Sequence, residues 1–415
     1  MEKRRVVVTG MGCVSPYGAG VDNLWKNVSA GKSGIKATTL DEEKHIVKIG
    51  GQVPELDTDG IVDPKEAKRM DGFILYSVVA ADEALKDSKL DMTKEDPFKV
   101  GVIVSSAAGG LETISKNHEV MLERAYHKCS PFTVPMMISN MAAGKIAINI
   151  GAKGLSKSVV TACATGAHSI GDAYRSIQYG DADVIFAGGC EHSICDFSVG
   201  VFTSARTLSK SNEALDKASR PYDVSRDGFV MSEGAAVLVL EELEHAKARG
   251  AKIYAELVGY GQSTDAYDMV APDPEGKGAE YALRYALKDA GLTPDDVDYV
   301  NTHGTSTHLG DIAESNMVAR VFGDKEQNKK LLVSSTKSET GHMLGAAGAA
   351  EAIISIKTIN DGIVAPTINL VEQDPEVANL DYVPNVPRKA DVKVALSNSF
   401  GFGGHNAVLI FKKYE

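Results

Sequence analysis

Short runs of aliphatic and β-branched residues recur along the chain at 5–9, 99–105, 158–162, 182–187, 235–240, 253–258, 297–301, 331–335, 392–396 and 406–411, with stretches of helical character between them. Alternation of this kind predicts an α/β protein. Val100 to Val104 and Val237 to Leu240 have no polar residue to turn toward solvent, which suits strands covered on both faces, so helical layers are expected on either side. The pattern also echoes itself. Ala84-Leu85-Lys86-Asp87 precedes a charged link, a strand to Val104 and a glycine turn, and Ala286-Leu287-Lys288-Asp289 precedes Thr293-Pro294, a strand to Asn301 and Gly304. A second echo pairs the strand and turn at Cys163 with those at Lys337, so one α/β unit present twice is expected. The charged helix expected at 241–249, followed by Gly250, divides the chain into halves 1–250 and 251–415.

At 415 residues and 43% hydrophobic content, the chain can build one large core or two fused ones. Forty glycines and only 6% aromatic residues point to tight turns and closely packed helices. The five cysteines are irregularly spaced, which argues against a disulfide framework and for reduced thiols in a cytoplasm. The start, Met1 to Arg5, is basic, but the apolar run behind it is only Val6-Val7-Val8, too short for a signal-peptide core. No run is long enough to insert in a membrane. A net charge of -12 disfavours general nucleic-acid binding while leaving room for a local basic patch.

The chemistry begins at Cys163, where the run Ser158-Val159-Val160-Thr161-Ala162 breaks into small residues that can start a helix. Backbone N–H groups and the positive end of a helix favour thiolate, the form that attacks a thioester. The second half adds Asn301-Thr302-His303-Gly304-Thr305-Ser306-Thr307 and Lys337-Ser338-Glu339-Thr340-Gly341-His342. Two neutral imidazoles can each donate a hydrogen bond to a developing enolate oxygen, their tautomers set by what the other nitrogen meets. Lys337 sits where it can hold such a tautomer, with Glu351 as its anionic partner; an ordinary helix-surface pair is the plainer alternative. Cys190-Glu191-His192 and Cys195 match no zinc spacing, so no metal site is expected.

With Gly310-Asp311, Ser335-Thr336-Lys337-Ser338 and Asn398-Ser399-Phe400-Gly401-Phe402-Gly403-Gly404, these motifs resemble, over nearly the whole chain, the β-ketoacyl-acyl carrier protein synthases of the thiolase superfamily, and specifically the elongating synthase II group. The resemblance implies a thiolase-like five-layer α/β/α/β/α fold of two duplicated halves, a homodimer, and decarboxylative Claisen condensation of an acyl-enzyme thioester with malonyl-acyl carrier protein. It implies no resident cofactor, since the phosphopantetheine arrives on the carrier. By the same resemblance Cys163 accepts the acyl group, the N–H groups of Cys163 and Phe400 form the oxyanion pair, and Phe400 gates the thiol. Thr305 and Thr307 bind the phosphopantetheine arm, although threonines of such a loop also satisfy their own turn.

Ala108 and Thr133 stand where relatives often carry isoleucine and phenylalanine, so the acyl pocket is expected to be deep or wide unless Met136, Met137 or Phe202 fills it. Lys65, Lys68 and Arg69 form a basic cluster for the acidic carrier, with Arg206 and Arg124 as outlying members; a solvated helix face is the alternative. A type II polyketide ketosynthase shares this machinery and stays open as a reading. A non-catalytic chain-length partner is the other alternative, and it would be expected to lack the nucleophile.

Overall fold

The computed structural model describes residues 3–415; Met1 and Glu2, at the head of the basic start, lie outside them. Ten strands follow one continuous path: β1 Val6–Ser15, β2 Val100–Ser106, β3 Ser156–Lys157, β4 Val184–Glu191, β5 Gly234–Glu242, β6 Ala255–Thr264, β7 Tyr299–Asn301, β8 Leu332–Ser334, β9 Val394–Gly401 and β10 His405–Lys412. Their order is β3-β2-β4-β5-β1-β6-β10-β9-β7-β8. Read from either outer edge inward, each five-strand run has two parallel pairings followed by two antiparallel ones. The runs join where Val6 to Val8 of β1 pairs antiparallel with Ala255 to Leu257 of β6. The same order and sense twice over is the pattern a duplicated unit produces.

Helices fill three layers around this path. The main ones are α1 Gly72–Ser88, α2 Leu111–Glu123, α3 Met141–Ile150, α4 Thr165–Gln178, α5 Asp196–Ser204, α6 Lys277–Ala290, α7 His308–Phe322 and α8 Ala347–Asp361. Helices α1 and α3 cover the outer face of the first run, α6 and α7 that of the second, and α4 and α8 lie between the two runs and touch strands of both. This is the α/β/α/β/α order. The middle layer must be thin and apolar all round, which is why α8 reads Ala-Gly-Ala-Ala-Glu-Ala-Ile-Ile and is buried along nearly its whole length. Glycine makes the closest approaches possible. A Cβ on Gly166 of α4 would meet the Gly345 carbonyl oxygen at 2.8 Å, and one on Gly348 of α8 would meet the Ala167 nitrogen at 2.9 Å.

Each of the ten expected strands has a counterpart, but the third is displaced. β3 ends at Lys157, and residues 158–161 run on outside the sheet, with the Val159 N–H donating to Ser105 Oγ at 2.8 Å instead of to a strand partner. The expected helix at 241–249 is confined to Leu243–Ala248, because Glu241 and Glu242 finish β5.

Candidate active site

The chain reaches the nucleophile through a strained turn. Ala162 has φ 49°, the left-handed region that L residues avoid, and Cys163 follows inside a single 3-10 turn, Ala162–Ala164, that runs directly into α4. The end of β9 passes over this turn at Gly401, where a Cβ would sit 2.5 Å from the Thr161 carbonyl oxygen and 3.1 Å from the Cys163 nitrogen. Beside this crossing, the backbone N–H groups that favour the Cys163 thiolate are those of Phe402 and of Cys163 itself. This corrects the expected pairing of Cys163 with the Phe400 N–H. Phe400 instead brings its ring 5.7 Å from that of His303.

The expectation of a resting thiolate is also corrected. Burial pushes the Cys163 thiol up to about 12, while the charge of Lys337 and the two N–H groups pull the other way without overcoming it. The group is a thiol at neutral pH.

His303 lies in the loop that follows β7. Its fold is fixed by a residue the sequence reading missed: Glu314, buried on α7, accepts from the N–H of His303 at 2.8 Å, from that of Gly304 at 2.7 Å and from Asn398 Nδ2 at 3.0 Å. The signal was the pair Asp311 and Glu314, two acids at helical spacing on a helix whose other inward residues are uncharged. His342 follows the short helix Lys337–Thr340 and a left-handed Gly341, and its N–H donates to Val230 O at 2.7 Å. The two imidazoles meet edge to face at 5.4 Å, and Phe229 packs edge-on to His342 at 5.3 Å. Burial holds both well below the usual histidine range, and the charge of Lys337 lowers them further, so both are neutral.

Lys337 does not hold either tautomer by a hydrogen bond. Its Nζ is committed to Glu351 in a directly bonded, almost fully buried ion pair, while Nδ1 of each histidine is enclosed without a protein partner. Lys337 therefore acts on the imidazoles through its charge. Burial raises the Glu351 carboxyl to about 7, the ammonium opposing.

Cys163, His303, His342, Thr305, Thr307 and Phe400 all line one cavity of about 260 Å³. The hydroxyls of Thr305 and Thr307 lie 2.9 Å apart. Ala108 and Phe202 also line the cavity, with Phe202 packed edge-on against Phe229 at 5.8 Å. Thr133 is not part of its lining, nor are Met136 and Met137. The Thr133 hydroxyl closes its own turn onto Ser130 O at 2.7 Å, and its neighbours Phe132 and Val134 are exposed. Lys65, Lys68 and Arg69 are exposed at the short helix Pro64–Ala67 and its end, where Arg69 stacks 4.6 Å over Phe132. Arg206 is exposed just past α5, and Arg124 is exposed at the end of α2. His192, in the rejected metal pattern, is spent on Asp71 at 3.1 Å. No helix among the described residues is long and apolar enough to cross a membrane.

A thiol, two neutral imidazoles and a buried cation around an apolar cavity suit thioester exchange coupled to enolate chemistry. The chain is 48% identical, over 100% of its own length and 99% of the relative's, to 3-oxoacyl-[acyl-carrier-protein] synthase 2 of Staphylococcus aureus (strain COL). Among solved structures it superimposes on the ishigamide ketosynthase/chain length factor with a TM-score of 0.92 at 33% identity, covering 100% of both chains. It also matches a type II polyketide ketosynthase, solved with its acyl-carrier protein and bound to the hexaketide, with a TM-score of 0.89 at 34% identity over 100% of both chains. The family description for the β-ketoacyl synthase N-terminal domain matches residues 3–246 and that for the C-terminal domain residues 254–371, and the chain belongs to the β-ketoacyl synthase family.

Proposed function

We propose that this protein extends fatty acyl chains by the 3-oxoacyl-[acyl-carrier-protein] synthase 2 reaction. The observation that carries the reading is that Cys163, His303 and His342 open onto one cavity with both imidazoles neutral. In the first half-reaction the Cys163 sulfur attacks the carbonyl of an acyl-carrier thioester. The carrier thiolate leaves and takes up the thiol proton, and the N–H groups of Cys163 and Phe402 stabilise the oxyanion, each such donor being worth about 3 kcal/mol of barrier. Malonyl-carrier protein then loses carbon dioxide. The electron pair of the broken C–C bond forms an enolate whose oxygen accepts from His303 and His342; uncharged donors stabilise that oxygen without protonating it. The enolate carbon attacks the Cys163 thioester, the sulfur departs as thiolate, and a solvent proton restores the thiol.

Burial and the charge of Lys337 keep the imidazoles neutral, Glu351 holds Lys337 in place, Phe400 gates the thiol, and Thr305 and Thr307 bind the phosphopantetheine arm. No resident cofactor or metal enters. The carrier docks on Lys65, Lys68, Arg69 and Arg206, whose charge opposes the overall negative balance. The enzyme works in the cytoplasm, and it works as a homodimer, the latter supported by the exposed apolar side chains Ile114, Leu122, Tyr126, Phe132, Val134 and Ile138 on adjoining segments. The small Ala108 in the cavity lining keeps a polyketide-type pocket as the second reading.

The test follows carbon dioxide and 3-oxoacyl-carrier protein from saturated acyl- and malonyl-carrier proteins in wild type and His303→Ala. Equal amounts of both products, with turnover falling about 10²- to 10³-fold in the variant, are expected. Wild-type protein that releases carbon dioxide without a 3-oxoacyl product, or a variant of undiminished turnover, would contradict the reading.

A further inference from the structure

Resting on that condensing role, we propose that the acyl side of the cavity selects chains carrying an oxygen function, a hydroxyl or keto group, and that Ser193 and Ser198 read it. Both serines line the cavity together with Ala108 and Phe202, and Ser198 lies one turn before Phe202 on α5. Ser193 is 1% exposed, and its hydroxyl has no hydrogen-bond partner in the protein. Ser198 is fully buried and its hydroxyl reaches only the Met231 sulfur, a weak acceptor, at 4.0 Å.

Glu191, which lines the same cavity, shows what a polar group kept for the fold looks like. It accepts from Ser106 Oγ at 2.6 Å, the Ala107 N–H at 3.1 Å and the Gly345 N–H at 3.0 Å. The two serines have no such ties, and their neighbours Ile194, Val199 and Leu344 are apolar. Buried hydroxyls in an apolar wall interact strongly with a partner and are costly without one. A saturated chain filling this side leaves them unpaired, whereas a hydroxyl or keto oxygen pairs with a serine, which both donates and accepts. The small Ala108 leaves room for the substituent.

The experiment is a competition read by intact mass on the full-length protein. Two carrier-bound chains of equal length are mixed, one saturated and one bearing a hydroxyl at successive carbons through a series, and acylation of Cys163 is followed in wild type, Ser193→Ala and Ser198→Ala. In wild type the hydroxylated chain should win by about tenfold at one or two adjacent positions, equivalent to ~1.4 kcal/mol. Ser193→Ala should bring the ratio close to parity and Ser198→Ala should lower it. The wild-type comparison depends on no variant folding. A saturated chain that competes equally or better at every position overturns the inference, as does a preference that survives both substitutions. Loading and elongation of saturated chains alone removes the inference and leaves the condensing role standing; loading of neither removes both.

Discussion

Cys163, His303 and His342 are ordinary in type, and their chemistry comes from surroundings that shift them in opposite directions: a thiol pushed up and two imidazoles pushed down by one burial. Lys337 is the charge that acts on all three, and its partner Glu351 makes its removal visible. The Glu351 carboxyl titrates near 7 in the folded protein against 4.5 as a free side chain. A raised acid of this kind contributes stability that is full below about pH 4.5 and lost as pH rises through the folded value. Without the ammonium the folded value rises further, so Lys337→Met goes on losing stability above pH 7 where wild type has levelled off. Urea unfolding should show a deficit that widens by about 1.4 kcal/mol per unit above pH 7, toward the ~3–5 kcal/mol typical of a broken buried pair. A deficit independent of pH would mean that Glu351 does not carry the interaction. The residue types and their order were legible in the sequence. The Phe402 N–H beside the thiol was not, because it depends on the end of β9 crossing the Cys163 turn, a contact between segments more than two hundred residues apart.

At the scale of elements, the site is held by two buried helices that can approach only because their facing residues are small. Gly348→Val forces side-chain carbon against Ala167 and Ser399, whose Oγ would lie 2.6 Å from the new Cβ. Overpacking of this sort typically costs about 1–3 kcal/mol. Since Gly348 and Ala167 lie in the helices that follow the His342 and Cys163 turns, thermal unfolding should fall together with the rate of Cys163 acylation. A stable variant acylated at the wild-type rate would show that the middle layer does not position the thiol. Apolar runs disclosed nine of the ten strands because both faces of most are covered. Residues 158–161 misled, since β-branched residues were read as strand where the chain leaves the sheet to present Cys163. Thr133 lies on a short surface helix outside this chain's own cavity, and such helices carry no periodicity that places them relative to it.

In the whole molecule, two runs of equivalent topology place a nucleophile from one half against two histidines from the other, with α4 and α8 between them. That division of labour gives the account its central claim: Cys163 carries the acyl group and the second half supplies what discharges it. The direct measurement is the intact mass of the protein after mixing with a long-chain acyl-carrier protein, before and after malonyl-carrier protein is added, in wild type and Cys163→Ala. The account predicts a gain equal to the acyl group in wild type only, mapped to Cys163 and lost on adding malonyl-carrier protein as a 3-oxoacyl product appears. A gain that persists in Cys163→Ala, or an acyl group that malonyl-carrier protein does not discharge, would contradict it.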